Sequence, residues 1–371
     1  MITRRTFVQI HLWLGITIGF FWALQGLTGA LLVFSRDIDR AMLEESTDGR
    51  ALTLDQVFAT AEFATQSKVT KVERFGPSPT LLIAYYTNGK GEDRALVVDA
   101  RSGAVLDDRN PEPKLPGGGS TQKWLLGLHE ALLLGDRGGL LVGTSGLFLI
   151  SSLVLGLVIA WPRRGRWKPL FAAAAWKNRV QRLFGWHRMV GLVVALILLV
   201  TVPCGIYLAF APEIRPILAR TSGYRMPHEF APAAAAPVAK VSAQEAFDIA
   251  RSRFPGAELV RAVRPTKKVP VYTFRLLQAN EARRWAGTTT VSVDPTSGAV
   301  LDVYDPLHGP VANRVTDFIY HIHTGDVGWL AGRLLVFFAG LSLPTLYVLG
   351  LLLWLRRRRP KAAKSMRPRT A

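Results

Sequence analysis

The chain has one cysteine, Cys204, so an internal disulfide and Cys-ligated iron–sulfur chemistry are both excluded within it. It has no dinucleotide-binding fingerprint and no P-loop, and GGG at 117–119 lacks the strand-turn-helix context and reads as linker. Neither a Ser-His-Asp grouping nor an HExxH pattern is present to suggest hydrolysis. Any redox reaction on this chain therefore draws its cytoplasmic electrons from a separate donor. Acidic residues are missing from four apolar runs: Ile10 to Phe34, Leu140 to Trp161, Val190 to Phe210 and Leu334 to Leu355.

Each run is long enough to cross a hydrocarbon core about 30 Å thick, which takes roughly 20 residues of helix. The first follows Arg4 and Arg5 but is too long for a signal peptide and lacks a small-residue cleavage site, so it reads as a retained span. Arg163 to Arg188 holds eight Lys/Arg and no acid, as does the tail from Arg356. By the positive-inside rule both stretches are cytoplasmic, and an even number of spans puts both termini there too. The segments 35–139 and 211–333 hold all 27 acidic residues and 28 of the 46 basic ones, so 18 of the net +19 charges fall on the cytoplasmic side. The basic character is a topological signal rather than a nucleic-acid one. It also suits contact with anionic lipid or with an acidic donor.

The chain repeats itself. LVVDARSGAVLDDRNP (96–111) returns as VSVDPTSGAVLDVYDP (291–306), each reading as a strand, a Ser-Gly turn and a second strand. A helical stretch and further strand candidates precede each hairpin, so each external segment reads as one helix on a small antiparallel sheet. PEPKLPGGGS (111–120) and APAAAAPVA (231–239) read as flexible or polyproline-like linkers. The spans repeat as well: His11-x3-Gly15 with Gly29 returns as His187-x3-Gly191 with Gly205. LHEALLLGDRGGLLV (128–142) aligns without gaps on IHTGDVGWLAGRLLV (322–336), matching His129 with His323. The expected fold is a membrane bundle of four transmembrane helices carrying two small α+β periplasmic domains. Its two span-domain-span halves would be related by a pseudo-two-fold axis along the membrane normal.

Four histidines thus form two matched pairs, His11 with His187 and His129 with His323. An interfacial histidine often serves only packing or a hydrogen bond between helices. Two symmetric pairs instead suit bis-imidazole ligation of haem between helices. On a straight helix Gly15, Gly19, Gly26 and Gly29 fall within roughly 80° of His11, and Gly191 and Gly205 share the His187 face. Such a smooth side leaves room for a porphyrin or for close helix packing. Zinc is the competing metal, since His321, His323 and His129 together supply three ligands. His228 and His308 have no repeat partner and read as loop residues. Trp124, Tyr320 and Trp329 lie near the outer histidines, as substrate contacts or as an aromatic belt.

The segment VSAQEAFDIARSRFPGAEL followed by VSVDPTSGAVLD resembles a PepSY domain. The opening span HLWLGITIGFFWALQGLTGALLVF, the LHEALLLGDRGGLLVG and IHTGDVGWLAGRLLV approaches and both SGAVLD hairpins resemble the PepSY-associated transmembrane family from Arg5 to Arg359. That resemblance implies an iron-regulated, multi-pass protein of the bacterial inner membrane. Its spans would be 1–34, 121–162 (with the periplasmic approach), 186–212 and 313–355 (with the second approach). PepSY-like domains would occupy 35–120 and 213–312, with a basic cytoplasmic loop at 163–185 and a basic tail at 356–371. It further implies a ferric-siderophore reductase with two b haems, one held by His11 and His187, the other by His129 and His323 (or His321 in place of His323). One-electron reduction unlocks such a chelate, because Fe(II) is held less tightly than Fe(III) by hard oxygen donors. The rival readings are a non-redox PepSY binding or regulatory protein, and a siderophore permease. The permease reading is weakened by the expectation of unbroken spans with no acidic residue inside them.

Overall fold

The computed structural model describes residues 3–43, 46, 50–76, 78–111, 121–162, 167, 176–226, 228–281 and 286–358. The linker from 112 to 120, most of the basic loop (163–166 and 168–175) and the tail from 359 lie outside the described residues.

Among the described residues, three helices are long and apolar enough to cross a membrane: α5 (Gly135–Ala160), α6 (Arg179–Ala209) and α10 (Trp329–Arg358), the last extended by a 3-10 turn from Asp326. The first apolar run is not the straight span that its sequence suggests. It forms α1 (Arg4–Thr17) and α2 (Gly19–Ala41), bent by 62° at Ile18, and together they make a fourth span only if the broken pair is counted as one. Glycines flank the break at 15 and 19, and the Thr17 hydroxyl donates to the Trp13 carbonyl, both features that loosen a helix. This segment is therefore a broken helix pair, where a permease was disfavoured for want of one.

The bundle packs through small residues, as helices in lipid do. A Cβ on Gly26 would come within 2.5 Å of the Gly340 carbonyl oxygen, and one on Gly340 within 2.7 Å of the Gly26 carbonyl oxygen, so α2 and α10 cross backbone to backbone. Pro344, four residues after Gly340, has no N–H to give that carbonyl.

Each of the two segments between the apolar helices builds one helix on four antiparallel strands. The first comprises α3 (Leu54–Thr65), β1 (Val69–Arg74), β2 (Leu81–Thr87), β3 (Asp93–Asp99) and β4 (Val105–Arg109). After α4 (Thr121–Ala131), the two long helices and α7 (Ala211–Thr221), the second comprises α8 (Ala243–Ser252), β5 (Glu258–Val263), β6 (Tyr272–Leu277), β7 (Thr289–Val293) and β8 (Val300–Tyr304). α9 (Val311–Thr324) leads back to the bundle. The two meanders are not separate: β1 pairs antiparallel with β5, giving one eight-stranded sheet in the order β4-β3-β2-β1-β5-β6-β7-β8. Bulges sit at matching places in both halves, at Val97/Val98 and Ser292/Val293, and Gly103 and Gly298 take the left-handed turn positions at φ 72° and 74°.

Strand side chains alternate between faces. One face carries Val72, Ala84, Val98, Ala262, Phe274 and Val291 into a shared core under α3 and α8, with Phe58 and Phe274 fully buried. Truncating either phenylalanine to alanine would cost about 3–5 kcal/mol. The two helices cap each other: the Asp55 carboxylate accepts the backbone N–H groups of Ala243 and Gln244 at 3.0 and 3.1 Å, and Gln244 Oε1 accepts that of Leu54 at 2.7 Å. The other face meets the bundle. Arg109 on β4 binds Asp39 at the end of α2 and Asp107 beside it, and Arg225 reaches Asp302 on β8 while its backbone exchanges hydrogen bonds with Asn313 of α9.

Candidate metal-binding histidine pairs

The fold brings the four repeated histidines together two by two. His11 on α1 faces His187 on α6 with ring centroids 6.2 Å apart, and His129 on α4 faces His323 on α9, also at 6.2 Å. Along α6 the ring of His187 and the contact of Gly205 with His323 are 18 residues apart, about 27 Å at the helical rise. The pairs therefore sit near opposite ends of the bundle, separated by almost the thickness of a hydrocarbon core.

All four imidazoles are oriented alike. His11 Nδ1 donates to the Ser152 carbonyl at 3.0 Å, His187 Nδ1 to the Leu346 carbonyl at 3.1 Å and His323 Nδ1 to the Thr201 carbonyl at 3.0 Å. His129 Nδ1 donates to Thr28 Oγ1 at 3.0 Å, the Thr28 hydroxyl itself donating to the Leu24 carbonyl at 2.8 Å. A carbonyl only accepts, so the proton is fixed on Nδ1 and the Nε2 lone pair is left for something else. This is the tautomer that neutral histidine uses as a metal ligand.

Glycine makes that orientation possible. A Cβ on Gly156 would meet His11 Cε1 at 3.2 Å, on Gly350 His187 at 3.3 Å, on Gly29 His129 at 2.9 Å and on Gly205 His323 at 2.9 Å. In three cases the accepting carbonyl belongs to the residue four positions before the glycine, and for His129 that residue, Gln25, also lies against the ring. Each imidazole thus sets its Cε1 edge against a bare patch of a neighbouring helix. The sequence placed Gly29 and Gly205 with His11 and His187, and the structure puts them against the opposite pair. Gly19 packs on Tyr347 and Gly26 on Gly340, while Gly15 and Gly191 meet nothing closer than 3.8 Å. Gly156 and Gly350 were missed, although the 194-residue offset relating His129 to His323 also relates these two.

An imidazole nitrogen sits about 1.1 Å from its ring centroid and about 2.0 Å from a metal that it ligates. Two imidazoles on opposite sides of one metal therefore place their centroids about 6.2 Å apart, the spacing found in both pairs. Among the described residues no three His, Cys, Asp or Glu side chains converge, so a closed four-ligand zinc site and a three-ligand catalytic one both lack donors there. A group that brings most of its metal's ligands with it, as a haem does, would need only the paired nitrogens of His11 with His187 and of His129 with His323 to hold it, and would supply one-electron chemistry there.

His321 does not join the pair. It is 1% exposed, packs against Tyr320 and Phe318, and faces Asp326 at 3.9 Å, whereas His323 and its three counterparts keep partly accessible edges. His308 is an exposed partner of Asp305, and His228 stacks edge-on against Phe230. Trp329 is 70% exposed, and the Trp124 indole N–H is buried with no hydrogen-bond partner among the described residues.

A search among curated proteins finds no match to the chain. Residues 8–357 do match a known family, and the protein belongs to it: the PepSY-associated TM region family.

Proposed function

We propose that this protein is a two-haem electron carrier of the bacterial inner membrane that reduces a ferric siderophore, Fe(III) to Fe(II), at its periplasmic face. The observation that carries the reading is the geometry of the two histidine pairs: matched 6.2 Å spacings, with Nδ1 tied to a helix and Nε2 left for a metal. A b haem in each site supplies one-electron chemistry.

The protein's own residues do the rest. His11 and His187 hold the cytoplasmic site, where an acidic electron donor meets the basic loop and tail. His129 and His323 hold the periplasmic one. The hydrogen bonds from Nδ1 to backbone carbonyls and to Thr28 make each imidazole a stronger donor and fix its plane. In this reading the halves are related by a pseudo-two-fold axis along the membrane normal, both termini are cytoplasmic, and the sheet roofs the periplasmic site. The roof keeps bulk water from the outer pair and presents the chelate to it.

The test is a dithionite-reduced minus oxidised visible spectrum of the detergent-purified protein with pyridine haemochrome quantitation. A b-type spectrum at about two haems per chain is expected, falling to about one in His323→Ala or His129→Ala and unchanged in His321→Ala. Reduced protein should then pass electrons to a ferric siderophore. A colourless protein made with ample haem would reject the reading in favour of a binding or regulatory role for the sheet domain. Full haem content in His11→Ala or His129→Ala would reject the ligand assignment.

A further inference from the structure

Three of the four paired imidazoles direct Nδ1 to a main-chain carbonyl, and one does not. His187 and His323 meet the carbonyls of Leu346 and Thr201, and His11 meets that of Ser152 at 3.0 Å with the Ser152 hydroxyl 3.1 Å away. His129 gives its Nδ1–H to the Thr28 hydroxyl at 3.0 Å. The internal repeat shows what has changed. Adding 176, the step from His11 to His187, carries Gly29 to Gly205, Gln25 to Thr201 and Thr28 to Cys204. In the second half the ring of His323 takes the Thr201 carbonyl. In the first half the Gln25 carbonyl lies against the ring of His129 and 3.1 Å from the Thr28 hydroxyl, and that hydroxyl holds Nδ1.

Thr28 is buried, and its own proton goes to the Leu24 carbonyl at 2.8 Å, so toward the ring its oxygen accepts. The ring planes differ with the partner. His129 and His323 are tilted by 40°, His11 and His187 by 73°, at the same 6.2 Å between centroids. An amide carbonyl is a more polarised acceptor than an alcohol oxygen, and the bond from Thr28 to Leu24 recovers only part of that difference. The acceptor at Nδ1 governs how much electron density Nε2 has to give. Density given to a metal favours its higher oxidation state, so a weaker acceptor at Nδ1 raises the reduction potential of whatever Nε2 ligates.

We propose that Thr28 is a positioning residue that makes the two histidine sites unequal: its hydroxyl sets the plane of His129 and leaves it the weakest donor of the four. The outer site then takes up an electron more readily than the inner one. This rests on the two-haem reading above and adds a direction to it. One electron leaves the inner site, which is oxidised, and arrives at the outer site, which is reduced, so transfer toward the periplasmic end runs downhill.

The experiment compares Thr28→Val, which keeps the bulk and removes the acceptor, with Thr28→Ser, which keeps the acceptor. Full-length protein labelled with ¹⁵N-histidine, in detergent and dithionite, shows its ring N–H resonances whether or not it carries haem. The His129 signal should lie upfield of the other three, move in Thr28→Val and stay in Thr28→Ser. Potentiometric titration followed by visible absorbance, with electron paramagnetic resonance of the oxidised protein, reads the two sites separately. Two low-spin ferric signals are expected, the more anisotropic from the inner pair, whose planes are further from parallel. In Thr28→Val the outer site alone should shift, its reduced-to-oxidised ratio at a fixed potential rising about two- to tenfold, and Thr28→Ser should match wild type. No shift in Thr28→Val, a downward shift, an equal shift at both sites or failure of serine to restore would overturn the proposal. Should Thr28→Val not fold, a wild-type outer potential at or below the inner one would overturn it as well. A colourless protein in which Thr28→Val displaces the His129 N–H alone would leave Thr28 in its positioning role and reject the two-haem reading. Two haems indifferent to Thr28 would do the reverse.

Discussion

An alanine at Gly29 is the sharpest probe of the histidine sites, because its two effects have opposite signs. In an open helix Gly→Ala stabilises by up to about 1 kcal/mol through backbone entropy. At Gly29 the new methyl would lie 2.9 Å from His129 Cε1, where carbon atoms prefer about 3.5–4.0 Å. The ring has to retreat by about 0.6 Å or more, which stretches its 3.0 Å bond to Thr28 to the edge of useful geometry. Overpacking costs about 1–3 kcal/mol and the weakened hydrogen bond about 0.5–1.5, so the propensity gain is outweighed by about 2 kcal/mol. Gly205→Ala, with the same 2.9 Å approach to His323, should behave likewise. Gly156→Ala and Gly350→Ala, at 3.2 and 3.3 Å from their imidazoles, should cost less.

The control is Gly139→Ala on α5, whose nearest neighbour would be 4.0 Å away. Thermal unfolding in detergent, followed by intrinsic fluorescence, should show Gly139→Ala at or above wild type and Gly29→Ala several degrees below it. Pyridine haemochrome on the same samples should show Gly29→Ala losing about half its haem and Gly139→Ala none. If Gly29→Ala and Gly139→Ala melted together, the claim that glycine exists here to seat an imidazole would be wrong, whatever the protein binds.

Asp55→Ala should destabilise the sheet domain by about 1–2 kcal/mol, since it strips the acceptor from two N–H groups at the start of α8; urea titration of far-UV circular dichroism reads this, and an unchanged midpoint would argue against the shared cap. Arg109→Met leaves Asp39 and Asp107 without their cation, at a cost of about 2–3 kcal/mol because both carboxylates keep some solvent, and it should speed proteolysis between α2 and β1. The Asp294 carboxylate, which accepts the Ser297 and Thr296 N–H groups, is held below the usual carboxylate range. A depressed folded value contributes stability that is complete above the unfolded value and is lost as pH falls through the folded one, so the second hairpin should weaken below about pH 4. Asp294→Asn keeps an acceptor oxygen and should flatten that limb of the acid melt; an unchanged acid limb would exclude Asp294 as its source.

The elements that were legible in the sequence are those with a local cause. The SGAVLD turns need a left-handed glycine, and Gly103 and Gly298 supply it; the apolar runs needed only counting. The bend at Ile18 was not legible, because no proline marks it and the flanking glycines also read as a packing face. The β1–β5 joint was hidden for a different reason. Edge strands carry no mark of what pairs with them, and Glu73 opposite Arg261 is seen as a cross-strand pair only once the two sheets are side by side. At the histidines the repeat alone matched His129 to His323, and burial separated His323 from His321.

The glycines show how a correct angle can support a wrong contact. Eighteen residues are five helical turns, so Gly205 does lie on the His187 face of α6, as helical arithmetic requires. Five turns are also about 27 Å, and the residue at that distance meets the other pair. The same stretch of helix therefore contributes a histidine to one end of the bundle and a seat for a histidine to the other. In the second half α6 carries His187 and Gly205, and α10 carries Gly350, against which His187 lies; in the first half α2 carries Gly29, α5 carries Gly156, and His11 stands on α1 beyond the break. The bend at Ile18 thus separates in the first half what one continuous helix joins in the second. A rotation of α6 about its own axis would disturb both pairs together, whereas movement at Ile18 shifts His11 and leaves the Gly29 seat of His129 in place. Strain at Ile18 should accordingly register at the far pair alone, and strain within α6 at both.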